Sequence, residues 1–239
     1  MQPYGVTIEE ILELAYAGAS LDEQRAALPE GLRGHAPAGI VLRDGGDGRS
    51  RFGGTGPALP DLSFIAAVDL ADLPPLEPLP SAGTLNFYYD FEIGERPRMD
   101  FVKYTRVTYE PGSPQVSGGT PLQGLLMPIA GSEHLADADF DTFDELNTMV
   151  YQHQLLGASR DIQGPVLQEV SYWFDQGFPE SREPYSDAEL RGEGWALLAQ
   201  FESSGELMFG DAGAVYYVIP EADLRASRFE RAFGIMQCS

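Results

Sequence analysis

Apolar positions recur along this chain with two different periods. Near the N-terminus Ile8, Ile11, Leu12 and Ala15 fall at helical spacing, Thr7 with Glu10 reads as a capping box, and Gly18 can stop the run. A second helical stretch near residues 21 to 28 ends at Pro29, and Val166, Leu167, Val170 and Phe174 predict another helix ahead of a polar loop at 176 to 194. Most other segments carry strand patterns. Residues 39 to 43 read as a short strand before the turn-forming Asp-Gly-Gly-Asp-Gly at 44 to 48. The continuous apolar run from Phe64 to Val68 predicts a strand covered on both faces. Phe101, Lys103, Thr105, Val107 and Tyr109 sit at every second position, which predicts a strand with one face nearer water.

The strand-like runs come in two matching series. LSFIAAVDL (62–70) parallels WALLAQFES (195–203), GTLNFYYDF (83–91) parallels GAVYYVIPE (213–221), and FVKYTRVTY (101–109) parallels FERAFGIMQ (229–237). Phe64 and Leu197 are 133 residues apart, Gly83 and Gly213 are 130 apart, and Phe101 and Phe229 are 128 apart. Offsets that differ by only a few residues are the mark of an internal repeat. Upstream, Gly54 and Gly157 stand only 103 apart, so the second copy carries an insertion that holds the helix near 166. The expected fold class is α+β: two related, mainly antiparallel β units from an internal duplication, packed into one body with a few helices. Residues 1–50 form an N-terminal helix and connecting segment, 51–131 a first repeat unit, and 132–239 a second unit with its helical insertion.

Several motifs occur in order: Ser50-Arg51-Phe52-Gly53-Gly54 with Leu59-Pro60, LSFIAAVDL, GTLNFYYDF, His153-Gln154-Leu155-Leu156-Gly157 with Ile162-Gln163, Phe209-Gly210-Asp211-Ala212-Gly213, and GIMQCS at 234–239. Together they resemble the YwqG-like family, over roughly residues 50 to 239. The resemblance implies an α+β fold with an internal duplication; it brings no activity, cofactor or catalytic residue, because the family is a domain of unknown function. Gly157-Ala158-Ser159-Arg160 departs from it in lacking an aromatic-proline pair.

Charge narrows the partners. Fifteen basic against 37 acidic residues give a net charge of −22. Nucleic acid is bound by neutralising phosphates with Lys and Arg, and anionic membranes attract basic clusters, so neither is an expected partner. A basic protein is, unless the acidic surface serves solubility alone. Lys103 is the sole lysine and lacks a glycine-rich lead, which excludes a Walker-type phosphate loop. The lone Cys238 excludes an intrachain disulfide and any multi-cysteine zinc site. No export signal or long apolar span is visible, which predicts a cytoplasmic protein. The sequence calls for no cofactor.

Candidate chemistry is sparse. His134, Asp137, Asp139 and Asp141 could hold a divalent cation, although Thr142 and Thr148 stand where a calcium loop needs glycine and glutamate. The other reading is that Asp139 to Asp144 stabilise a helix beginning near Asp141 or Thr142, where carboxylates meet the positive end of the dipole. That helix would run on to His153, which could be a base or ligand, or a hydrogen-bonded core histidine. Asp211 could lie at the mouth of a cleft between the units, or simply shape a turn. Gln163, Gln200 and Gln237, beside apolar runs, either bind a ligand or knit the sheet together. No G-x-S-x-G, H-E-x-x-H or dinucleotide-binding G-x-G-x-x-G is present. Two functional classes follow: a non-enzymatic interaction protein, for instance of the immunity type, or a small-molecule- or metal-binding protein or enzyme with its site between the units.

Overall fold

The structure, a computed structural model, describes residues 8–91, 104–131, 153–175 and 193–238. Ten strands form one antiparallel sheet: β1 (Ala38–Asp44), β2 (Arg51–Phe52), β3 (Ser63–Asp69), β4 (Thr84–Tyr89), β5 (Thr105–Glu110), β6 (Thr120–Pro128), β7 (His153–Leu156), β8 (Trp195–Glu202), β9 (Ala214–Pro220) and β10 (Phe233–Gln237). Their order is β10-β9-β8-β7-β1-β6-β2-β3-β4-β5. The two outer strands come together, and the Gly234 amide on β10 donates to the Thr105 hydroxyl on β5 at 2.7 Å. The sheet is therefore a nearly closed barrel.

This corrects the expected α+β pair of packed units. Strands β1 and β6 lie in the middle of the order and hydrogen-bond to each other, while β1 also pairs with β7 and β6 with β2. One continuous sheet results, accompanied among the described residues by four short helices, α1 (Ile8–Tyr16), α2 (Leu21–Ala27), α3 (Val166–Asp175) and α4 (Glu221–Arg225). The matched runs fall on β3, β4 and β5 at one end of the sheet and on β8, β9 and β10 at the other, with a register irregularity between Phe64 and Ala66 and another between Leu197 and Ala199. The third match holds only in part: Phe229–Arg231 is a 3-10 turn and the strand starts at Phe233.

Alternation along the strands decides what each face meets. Inside the barrel, Leu85, Phe87, Val107, Leu155, Phe201, Val215 and Tyr217 belong to one buried cluster. The Phe87 ring lies 4.9 Å from Phe201 and 5.0 Å from Tyr217, both edge-on, so side chains fill the lumen. The Tyr217 hydroxyl donates to the Tyr88 carbonyl at 2.9 Å, a second tie across the β5–β10 side. Outside, two covers complete the burial. Ile11, Leu28 and Leu32 pack on Val41 of β1 and on Leu125 and Met127 of β6; Val166 and Val170 of α3 pack on Trp195, Leu197, Tyr216 and Phe233. Ser20 and Glu23 form a capping box at the start of α2, and the buried Gln24 of that helix donates to the Leu126 carbonyl. Thr7, the cap expected for α1, lies outside the described residues.

One barrel mouth is stopped by its own chain. Between β3 and β4 the segment 70–81 places leucine at every third position, Leu70, Leu73, Leu76 and Leu79, with prolines at 74, 75, 78 and 80. The Leu73 amide bonds to the Leu70 carbonyl and the Leu79 amide to the Leu76 carbonyl, so the chain advances in turns of three. That period puts all four leucines on one side, where they join the interior cluster.

Candidate functional site

The expected site residues divide between the two faces of the sheet. In β7 and β8 the register sets His153 opposite Phe201 and Gln154 opposite Gln200. Successive strand residues point to opposite faces, so the histidine and the glutamines are separated by the sheet itself. His153 opens β7 rather than closing a helix, which corrects the expectation of a helix continuing to it. Its ring is buried and stacked 4.0 Å from Phe52, with Phe201 at 5.5 Å. Nδ1 accepts from the Glu202 amide at 3.2 Å, which leaves the ring proton on Nε2.

On the outer face the glutamines hold down the segment that follows β7. Gln154 donates through Nε2 to the Leu156 and Ala158 carbonyls at 3.0 and 2.9 Å. Gln200 accepts from the Arg160 amide at 3.0 Å and donates to the Arg160 carbonyl at 3.3 Å. The Tyr216 hydroxyl donates to that same carbonyl at 2.7 Å, and the Arg160 guanidinium pairs with Glu202. Burial, with Asp161 nearby, raises the Tyr216 phenol far above its ordinary value, so it acts there as a donor. Gln237 accepts from the amides of Ile162 and Gln163 at 2.8 and 3.0 Å, and donates to the Gly164 carbonyl at 2.8 Å and to Glu169 at 2.6 Å. Three amide side chains thus replace the strand that would otherwise satisfy this backbone. The Gln163 side chain is exposed, and Gln163 joins the network only through its backbone.

Gln237→Leu removes four hydrogen bonds while keeping the side-chain volume. At about 1 kcal/mol each, partly recovered by water, the expected loss of unfolding free energy is about 3 kcal/mol, read from urea unfolding.

Asp211 sits on the exposed turn between β8 and β9. Gly210 and Ala212 on either side of it have positive φ, 61° and 51°, and the Gly213 amide bonds to the Phe209 carbonyl at 2.9 Å. Asp211 is thus in neither the His153 environment nor the glutamine network. His134, Asp137, Asp139 and Asp141 lie outside the described residues; among the described ones, no group of three His, Cys, Asp or Glu side chains is placed to hold a metal ion.

The remaining motif residues have structural contacts. The Ser50 hydroxyl accepts from the Asp69 amide at 2.9 Å, and Phe52 stacks on His153. Gly53-Gly54 crosses Gly118-Gly119 so closely that a Cβ on Gly54 would lie 2.7 Å from the Ser117 carbonyl oxygen. Asp223 of α4 is buried against Arg231, Nε at 3.0 Å, and Arg228, Nε at 2.6 Å, which fixes the connection from β9 to β10.

Open volume remains at the plugged mouth, a place the sequence reading did not single out. A cavity of about 560 Å³ separates the 70–81 segment from the barrel wall at Ile40, with Glu77, Ser81 and Ser227 as its polar groups. A second cavity, about 600 Å³, shares Glu77 and Pro78 and reaches Ala196, Glu221, Leu224 and Arg225. The signal for the first was the three-residue leucine period among prolines.

Fold and site together define a side-chain-filled antiparallel barrel, externally strapped by glutamines and with a cavity at one stopped mouth. Its residues 45–238 match the model of the family described as "Domain of unknown function (DUF1963)", and the chain belongs to that family. No curated protein matches it. No helix among the described residues is long and apolar enough to cross a membrane.

Proposed function

We propose that this chain, as a YwqG-like protein, is a non-enzymatic cytoplasmic module that binds a basic protein, in the manner of an immunity protein masking a cationic toxin. The observation that carries the reading is the net charge of −22 with a single lysine. Opposite charge accelerates encounter and penalises wrong partners. Two of the polar candidates support it, since Gln200 and Gln237, like the neighbouring Gln154, are engaged with the chain's own backbone. Isolation of the tagged protein from native extract at low salt is expected to bring down a stoichiometric protein of high isoelectric point, with affinity falling steeply as salt rises. A monodisperse protein with no such companion overturns the reading.

A further inference from the structure

We propose that the cavity at the plugged mouth binds a small organic cation: a primary amine on a compact apolar body. The proposal is independent of any protein partner, and rests on the size, walls and charge of the cavity.

Its volume of about 560 Å³ falls within the range of small-molecule pockets. The walls combine leucines of the plug with Pro74, Pro75, Pro78 and Pro80. Proline rings have a fixed φ and almost no side-chain freedom to lose, so the pocket is formed in advance of its occupant. The leucine and proline side chains call for an apolar body on the ligand, and the comparable share of polar surface in the walls calls for a polar group on it.

Charge sets the sign of the polar end. Among the described residues Glu77 is the one ionisable residue lining the cavity, and it lies at the boundary with the second cavity. Among the described residues no cation pairs with it. Arg225, which lines the second cavity, pairs with Glu221 at 2.5 Å one helical turn away. An ammonium is compact and carries three donors, which suit one carboxylate and the hydroxyls of Ser81 and Ser227. A carboxylate-bearing ligand would face Glu77 and the field of a chain with net charge −22.

The test is calorimetric titration of the full chain with cyclohexylmethylamine, cyclohexylmethanol and cyclohexanecarboxylate, which share a ring and differ in charge. The amine is expected to bind about tenfold more tightly than the alcohol and more tightly still than the carboxylate. Glu77→Gln changes an exposed residue and is expected to weaken the amine about tenfold while leaving the alcohol within about twofold. Ser81→Trp, also at an exposed rim position, is expected to abolish binding of both. Should Ser81→Trp not fold, as judged by its melting curve, Glu77→Gln decides alone. Absence of amine binding, equal affinity for amine and carboxylate, or an amine affinity unchanged by Glu77→Gln overturns the proposal. A partner captured from extract bears on none of these outcomes.

Discussion

Gly213→Ala is expected to destabilise the protein by about 3 kcal/mol or more, the upper end of what overpacking costs. A Cβ at this position would stand 2.2 Å from the Gln237 carbonyl oxygen, 2.4 Å from the Phe209 carbonyl oxygen and 2.7 Å from the Cys238 Cβ. Two of these are backbone atoms. The Gln237 carbonyl belongs to β10 and the Phe209 carbonyl accepts the Gly213 amide, so neither can retreat without breaking a turn or moving an end strand of the barrel. Gly31→Ala is the control, because a Cβ there meets nothing within 4 Å and φ is not positive. Urea unfolding should separate the two variants clearly; similar midpoints would mean that the β8–β9 turn yields where the structure holds it fixed.

Alkali is expected to be the other large perturbation. Burial pushes the Tyr89 phenol up to about 12, and burial raises Tyr216 and Tyr217 well above the ordinary value. Unfolded tyrosines ionise near pH 10, so above that point the unfolded chain loses protons that the folded one keeps. The stabilisation is fully present below about pH 10 and is lost as pH rises through the folded values. Each phenol contributes at most about 1.4 kcal/mol per pH unit in that window, so the three together lower stability by at most about 4 kcal/mol per unit between pH 10 and 12. Unfolding free energies measured at about pH 9, 10 and 11, alongside ultraviolet titration of the phenols, check this. A flat profile would contradict the burial of these rings.

The strands best read from sequence are those whose neighbours bury both faces. β3, β4, β8 and β9 appear as apolar and aromatic runs because successive residues, which point to opposite faces, are nearly all buried. β6 is not legible although it is central, since Pro121, Gly124 and Pro128 interrupt its pattern. Gly124 has a reason that only the fold supplies: a Cβ there would meet Leu73 of the plug at 2.5 Å and Ile40 at 3.0 Å. Closure of the barrel is equally hidden, for its ties join residues 129 positions apart, the Thr105 hydroxyl with the Gly234 amide and the Tyr217 hydroxyl with the Tyr88 carbonyl. Gln200 and Gln237 are legible as polar residues beside strands, and the contacts they make are with the chain's own backbone; Gln154 carries no such signal, and the Gln163 side chain lies outside the network. His153 stands out in the sequence, but its element does not, because its ring partners Phe52 and Phe201 are remote in sequence.

The family match begins at residue 45, one position after β1 ends. Yet that strand is the keystone of the architecture: with Leu42 it faces the lumen, with Val41 it receives the N-terminal helices, and it alone bridges β6 to β7. A fragment cut at the family boundary would consist of two half-staves with raw hydrogen-bonding edges where the wall should be continuous. Insolubility of such a fragment would reflect the cut and would say nothing about the protein.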